Sequence, residues 1–289
     1  MNNRNSVRDY APLITSMCIF GTIGILRRYI ELPSSFIALA RAIIGTGFLV
    51  ALIAVTKKPM DIPVIKRNLV WLILSSAAMG FNWIFLFESY NYTTVTTATL
   101  CYYMAPSIMV LASHFLFRER LTRKKGICVL IAFCGMVLVS GVLKSQLPTM
   151  AEIKGILFGL GAALLYATVI LLNKKMDITS AYDKTIFQLG LAGIILIPYT
   201  LLTENVLALT FTPLGLVLLL VVGMLHTGIA YAMYFGSIGK LPTQTVALLS
   251  YIDPILAIIL SALILGEPMG ITEVLGSVMI LGAAYISEK

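Results

Sequence analysis

Residues 93–119, TTVTTATLCYYMAPSIMVLASHFLFRE, fall on residues 241–267, LPTQTVALLSYIDPILAIILSALILGE, without a gap when the chain is shifted by 148 positions. Thr97 meets Thr245, Leu100 meets Leu248, Tyr103 meets Tyr251, Pro106 meets Pro254, Ser113 meets Ser261 and Glu119 meets Glu267. Six identities in 27 positions is a weak percentage, but a proline in the middle of an apolar run and a glutamate at its end rarely coincide by composition. Nearby offsets lay Phe20 on Tyr166, Thr22 on Thr168 and Arg28 on Lys174. The chain therefore carries an internal repeat.

The solvent of that repeat follows from composition. Of 289 residues, 59% are hydrophobic and 12% charged, and the mean hydropathy is +0.95. A soluble domain is about 45–50% apolar and about 25% charged, because it must cover itself with polar groups. This chain belongs in lipid. Runs of roughly 17–25 apolar residues mark membrane-crossing helices, and ten are expected: 10–28, 34–56, 67–90, 93–117, 124–143, 153–173, 182–202, 213–236, 242–265 and 270–287. The expected fold is all-α and integral to the membrane. Residues 10–143 form one five-helix repeat, 144–152 a linker, and 153–287 the second repeat. The first span follows a basic tail with Arg4 and Arg8, but no small-residue cleavage site comes after it. It is expected to be retained as a span.

Charge sets the orientation. With a cytoplasmic N-terminus, 16 of the 21 Lys and Arg residues fall in inside segments, among them Lys57, Lys58, Arg123, Lys124 and Lys125. Four fall outside (Arg27, Arg28, Lys144 and Lys154), and Arg41 lies within a span. Positive residues gather on the cytoplasmic side, so both termini are expected there. Five spans per copy is odd, so the second copy enters the membrane upside down. Two such halves can exchange conformations around one central site, the architecture of secondary transporters. The net charge of +8 comes from these short clusters between spans, so nucleic acid is not an expected partner. Cys18, Cys101, Cys128 and Cys134 lie in apolar runs without CxxC spacing and read as small hydrophobes.

Ionisable residues are costly inside hydrocarbon and mark pathways by default. Asp253 stands first: it precedes Pro254, which cannot donate to the Ser250 carbonyl. An interrupted helix with a free carbonyl beside a carboxylate builds ion and substrate sites. Two readings stand, a proton carrier or a residue that locks helices together. His226 is a second candidate relay, with structural hydrogen bonding as its alternative, and Glu88 a third. Arg41 is a candidate to hold a substrate carboxylate by a forked hydrogen-bond pair, or to pair with Asp253 or Glu88. Asn82, Trp83, Tyr102, Tyr103, Tyr231 and Tyr251 are candidate lining residues, suited to stacking or cation–π contact. Trp83 and Tyr231 are repeat mates, as are Tyr103 and Tyr251, which could face each other across the cavity. Glu119 and Glu267, at helix ends, read as caps or partners of nearby arginines. Gly155 and Gly159 form a GxxxG pair that allows close helix packing.

The stretches Tyr103-Met104-Ala105-Pro106 through Arg118-Glu119-Arg120-Leu121-Thr122 to Gly135, and Tyr251-Ile252-Asp253-Pro254 through Gly266-Glu267-Pro268 to Gly276, resemble the EamA family of the drug/metabolite transporter superfamily. Arg118 stands where that family usually has glycine; the second copy keeps Gly266. The resemblance covers nearly the whole chain. It implies a transporter of small metabolites, with export as its direction. The expectation is thus a secondary transporter, not an enzyme, for an amino acid or similar polar or amphipathic compound. It would be a monomer in a prokaryotic plasma (inner) membrane, with protons as the expected coupling partner and no cofactor or metal. Its rivals are a passive facilitator of the same fold and, from other classes, a membrane sensor or enzyme. The sequence holds no HExxH, GxSxG or close His-Asp grouping for an enzyme, and its loops leave no room for an output domain.

Overall fold

Pro106 has no N–H to return to the Tyr102 carbonyl, and the helix stops there. The computed structural model describes residues 7–57, 60–117, 122–139, 148–173, 175–178, 180–238 and 249–288. Arg118, Glu119, Pro242, Thr245, the His114 side chain and residues 144–147 of the expected linker lie outside the described residues.

All regular structure among the described residues is helical. In order it comprises α1 (Val7–Gly21), α2 (Ile23–Arg28), α3 (Ser34–Thr56), α4 (Ile62–Arg67), α5 (Leu69–Tyr92), α6 (Val95–Tyr102), α7 (Ala105–Phe117) and α8 (Arg123–Val139). It continues with α9 (Met150–Asn173), α10 (Ala181–Thr203), α11 (Pro213–Val221), a π-helical segment Val222–Ile229, α12 (Ala230–Ile238), α13 (Ile252–Ile264) and α14 (Ile271–Glu288). Side-chain oxygens cap several starts: Asp61 for α4, Thr94 for α6, Ser180 for α10 and Thr212 for α11. Each accepts a backbone N–H that the first helical turn leaves without a partner.

Among the described residues, six stretches are long and apolar enough to cross a membrane: Tyr10–Arg28, Ser34–Thr56, Leu69–Tyr92, Met150–Asn173, Tyr182–Thr203 and Pro213–Tyr234. Ile252–Ile264 and Ile271–Ile286 are shorter apolar helices. The expected continuous span at 93–117 is corrected to two helices, α6 and α7, with Tyr103 and Met104 in the turn between them. The first span is likewise divided at Thr22, whose hydroxyl turns back to the Ile19 carbonyl at 2.7 Å. Outward faces are apolar, as at Leu130, Leu263 and Val278, each about two-thirds exposed or more. That is costly in water and neutral in lipid, where backbone polar groups must be satisfied within the helices. The protein is a multi-pass membrane protein.

Polar side chains tie the helices together. Gln188 on α10 donates to Ser75 on α5 at 2.8 Å and to Asn173 on α9 at 2.7 Å. Ser89 donates to the Gly155 carbonyl at 2.7 Å. Such bonds contribute about 0.6 kcal/mol each in membranes. The Gly155–Gly159 pair admits close packing as expected: a Cβ on Gly159 would stand 2.7 Å from that of Cys101. Tighter still is the crossing of α8 and α14, where a Cβ on Gly276 would meet the Gly135 carbonyl at 2.7 Å. All four cysteines are free. Cys134 departs from the reading as a buried hydrophobe: it is exposed on the outer face of α8.

The packing pairs come in exchangeable sets. Helix α5 runs along α9, and α12 along α1. Helix α10 packs on α5, and the π segment on α3; α7 and α6 pack on α9, and α13 on α1. Three further pairs, α3 with α10, α6 with α13 and α8 with α14, each join an element to the one about 148 residues further along the chain. The residues nearest these crossings build the site.

Candidate functional site

Arg41 sits about two turns into α3 and is 4% exposed. Its position is set by the π segment, which widens the helix by one residue per turn and turns Thr227 toward α3. The Arg41 Nε donates to Thr227 Oγ1 at 3.1 Å, while Thr227 donates to the Val222 carbonyl at 3.1 Å. The guanidinium lies over the indole of Trp83, 4.1 Å from the ring centroid, with Phe87 at 5.6 Å. Stacking on an aromatic face holds the planar fork in one orientation. Among the described residues the terminal nitrogens of Arg41 have no hydrogen-bond acceptor, and the expected ion pairs with Asp253 or Glu88 do not form.

Around that fork stand tyrosines from both repeats. Tyr90, Tyr102 and Tyr231 lie within electrostatic reach of Arg41. Trp83 and Tyr231, the two repeat mates, belong to the same packed cluster beside Arg41. Tyr231 also meets the edge of Phe20 at 5.5 Å. Tyr102 meets Tyr166 at 5.4 Å and Tyr103 at 6.0 Å.

Asp253, half-buried in the first turn of α13, lies within electrostatic reach of Tyr90 and Tyr102. The Tyr103 hydroxyl donates to its Oδ2 at 2.9 Å. Tyr103 can reach across because the Pro106 break leaves it in a turn instead of on a helix face. Helix α1 approaches this point closely: a Cβ on Gly21 would come within 2.8 Å of the Asp253 carbonyl oxygen. The expected facing of Tyr103 and Tyr251 is corrected: Tyr251 packs edge-on against Tyr285 of α14 at 6.2 Å. Two residues apart on a helix, Tyr251 and Asp253 point to different sides.

The remaining candidates lie off this cluster. Asn82 donates to the Ala162 carbonyl at 2.6 Å and fastens α5 to α9. His226 is fully buried and meets Thr22 Oγ1 at 2.8 Å. Its Nδ1 faces the Val221 carbonyl at 3.4 Å, so the ring is held between the π segment and the break in the first span. Glu88 is half-buried near Arg27, whose guanidinium bonds the Ile30 carbonyl at 2.7 Å and Ser34 at 3.2 Å. A separate apolar groove of about 580 Å3 between α8 and α14, with Lys124 at one end, touches none of these residues.

Thr227, Phe87 and Tyr166 were not among the sequence-derived candidates. Tyr166 carried a signal, as the repeat mate of Phe20; both flank the chamber from the equivalent helices α9 and α1. Thr227 carried none, because a π turn has no pattern in a run as apolar as this.

Comparison with known proteins bears on the whole arrangement. The EamA-like transporter family matches this chain twice, over residues 10–141 and 153–288. The uncharacterized transporter YxxF of Bacillus subtilis is 32% identical over 278 residues, covering 95% of this chain and 88% of its own. The protein RarD of Salmonella typhimurium is 26% identical, over 92% of this chain and 93% of its own. An uncharacterized transporter of Archaeoglobus fulgidus is 25% identical over 96% of both chains. A solved crystal structure, 16% identical, aligns with 98% of this chain and 96% of its own at a TM-score of 0.65, which speaks to the fold alone. With the family matched in two successive segments that span nearly its whole length, the chain belongs to the EamA-like transporter family.

Proposed function

We propose that this EamA-like transporter carries a small metabolite bearing a carboxylate, an amino acid or a similar polar or amphipathic compound, by alternating access around the Arg41–Asp253 chamber. The observation that carries it is the Arg41 guanidinium: buried, stacked on Trp83, and with its fork unpartnered among the described residues. A buried cation of this kind needs a compensating group. A carboxylate takes two parallel N–H bonds from the fork, and the surrounding tyrosine and tryptophan faces suit an apolar or cationic remainder.

Asp253 is assigned the proton. Its carboxylate accepts the Tyr103 hydroxyl and has no basic partner among the described residues, so protonation removes a charge that nothing neighbouring neutralises. The chain is read as ten spans in two inverted repeats with cytoplasmic termini. The exchangeable packing pairs support that reading, as does the 16-to-4 distribution of Lys and Arg. Export from a prokaryotic cell is the direction suggested by family resemblance.

Exchange in proteoliposomes tests the reading, with a panel of amino acids, amines and sugars and an imposed pH gradient. Saturable exchange of carboxylate compounds, enhanced by the gradient, is expected. Flux rising linearly with concentration for every compound would make the protein a passive facilitator instead.

A further inference from the structure

Glu267 follows α13 by three residues, just after Gly266 in the left-handed conformation (φ 64°). Its carboxylate gathers groups from three elements. The Val95 N–H reaches Oε2 at 2.8 Å and Oε1 at 3.1 Å, and the Thr96 N–H reaches Oε2 at 3.5 Å. The Ser261 hydroxyl of α13 donates to Oε2 and itself accepts from Thr96 Oγ1 at 3.2 Å. Arg28, the last residue of α2, donates to Oε1 at 3.1 Å and to the Thr93 carbonyl at 2.6 Å. The Glu267 side chain is 13% exposed and that of Arg28 31%.

Helix α6 has its own cap, since Thr94 takes the Thr97 N–H at 3.0 Å. That leaves the N–H groups of Val95 and Thr96 to a residue from the other repeat. The elements tied here are also those that build the chamber. Helix α6 ends beside Tyr103, which bonds Asp253 at the start of α13. Helix α2 begins after Thr22, which holds His226, the neighbour in sequence of the Thr227 that holds Arg41. If this end of the molecule opens by separating α2 and α6 from α13, the Glu267 bonds from Arg28, Val95 and Thr96 break, while that from Ser261 on α13 itself remains.

We infer that Glu267 is the latch of the gate at the end of the chamber away from the cytoplasm, closing it by bridging Arg28, the α6 N-terminus and Ser261. This rests on the alternating-access reading above. By the 148-residue shift the first repeat places Ser113 and Glu119 where the second has Ser261 and Glu267.

The test uses the full-length chain, with its four cysteines replaced and Thr99→Cys added on α6 between latch and chamber, where the native side chain is 3% exposed. A membrane-impermeant maleimide is applied from outside to sealed vesicles. Glu267→Gln should raise the alkylation rate about ten- to hundredfold, as loss of charged hydrogen bonds implies. Ser261→Ala and Arg28→Gln, each removing one contact, should raise it at least about threefold. They carry the measurement if Glu267→Gln does not fold. A chain keeping Cys128, buried between α8 and α14, serves as control and should label at its parent rate in every variant. Unchanged labelling at position 99 in all variants, or an equal rise at Cys128, overturns the latch. Labelling requires no substrate, so a parent protein that shows no saturable exchange would sink the transport reading separately and leave this measurement standing.

Discussion

Tyr103 and Asp253 are joined by a 2.9 Å hydrogen bond between positions that the repeat does not make equivalent. The repeat mate of Tyr103 is Tyr251, and that of Asp253 is Ala105. The mirrored bond would run from Tyr251 to an alanine, which has no acceptor. One half of the chamber therefore carries a titratable hydrogen bond and the other does not. Asp253→Asn should abolish flux driven by a pH gradient while exchange at equal pH continues. Tyr103→Phe should keep the gradient response and shift its pH midpoint. Gradient-driven uptake in Asp253→Asn equal to the parent's would remove Asp253 from coupling.

Thr227 positions the arginine without occupying the fork. Replacing it by valine keeps the shape and removes the acceptor of the Arg41 Nε. Its loss corresponds to one hydrogen bond to a charged group, about 1.5–3 kcal/mol. Thr227→Val should raise KM by about tenfold or more with little change in kcat. A fall in kcat at constant KM would place Thr227 in the conformational step.

The geometry of His226 favours a staple between the π segment and the break in the first span. A glutamine amide can also hydrogen-bond Thr22, so His226→Gln should retain the pH-gradient response and His226→Leu should lower the melting temperature. Loss of the gradient response in the glutamine variant, with folding intact, would restore the histidine to the proton path.

That the chain is an all-helical, multi-pass membrane protein was legible in sequence because hydropathy acts over long windows. The 148-residue repeat put Trp83 with Tyr231 and Tyr103 with Tyr251, and the first pair does share one packed cluster. The second does not, because Pro106 and Pro254 end their helical turns at different points: Tyr103 sits in a turn before α7, whereas Tyr251 caps α13. Pairing of Arg41 with a protein carboxylate was a reasonable expectation from the cost of a buried ion. The structure instead stacks it on Trp83 and bonds it to Thr227, a contact created by a π turn with no sequence period. Glu267 was correctly placed as a cap and arginine partner, but its reach to α6 is a long-range contact that no local pattern encodes.

The crossing of α8 and α14 rests on backbone contact. A methyl group on Gly276 would stand 2.5 Å from a Val139 methyl as well as 2.7 Å from the Gly135 carbonyl. Overpacking of this kind costs about 1–3 kcal/mol. Gly276→Ala should lower the melting temperature in detergent by several degrees, and Gly282→Ala, on the same helix with open space around it, should not. Equal melting temperatures for the two would mean that the helices separate at no cost.

The central claim is that the Arg41 fork holds a carboxylate during transport. Counterflow of an amino acid and its matched amide, in proteoliposomes with the parent protein and with Arg41→Ala, tests it most directly. The account predicts saturable counterflow of the acid, much weaker counterflow of the amide, and a loss of about ten- to hundredfold in kcat/KM for the acid alone on Arg41→Ala. Equal losses for acid and amide, or acid counterflow untouched by the substitution, would contradict it.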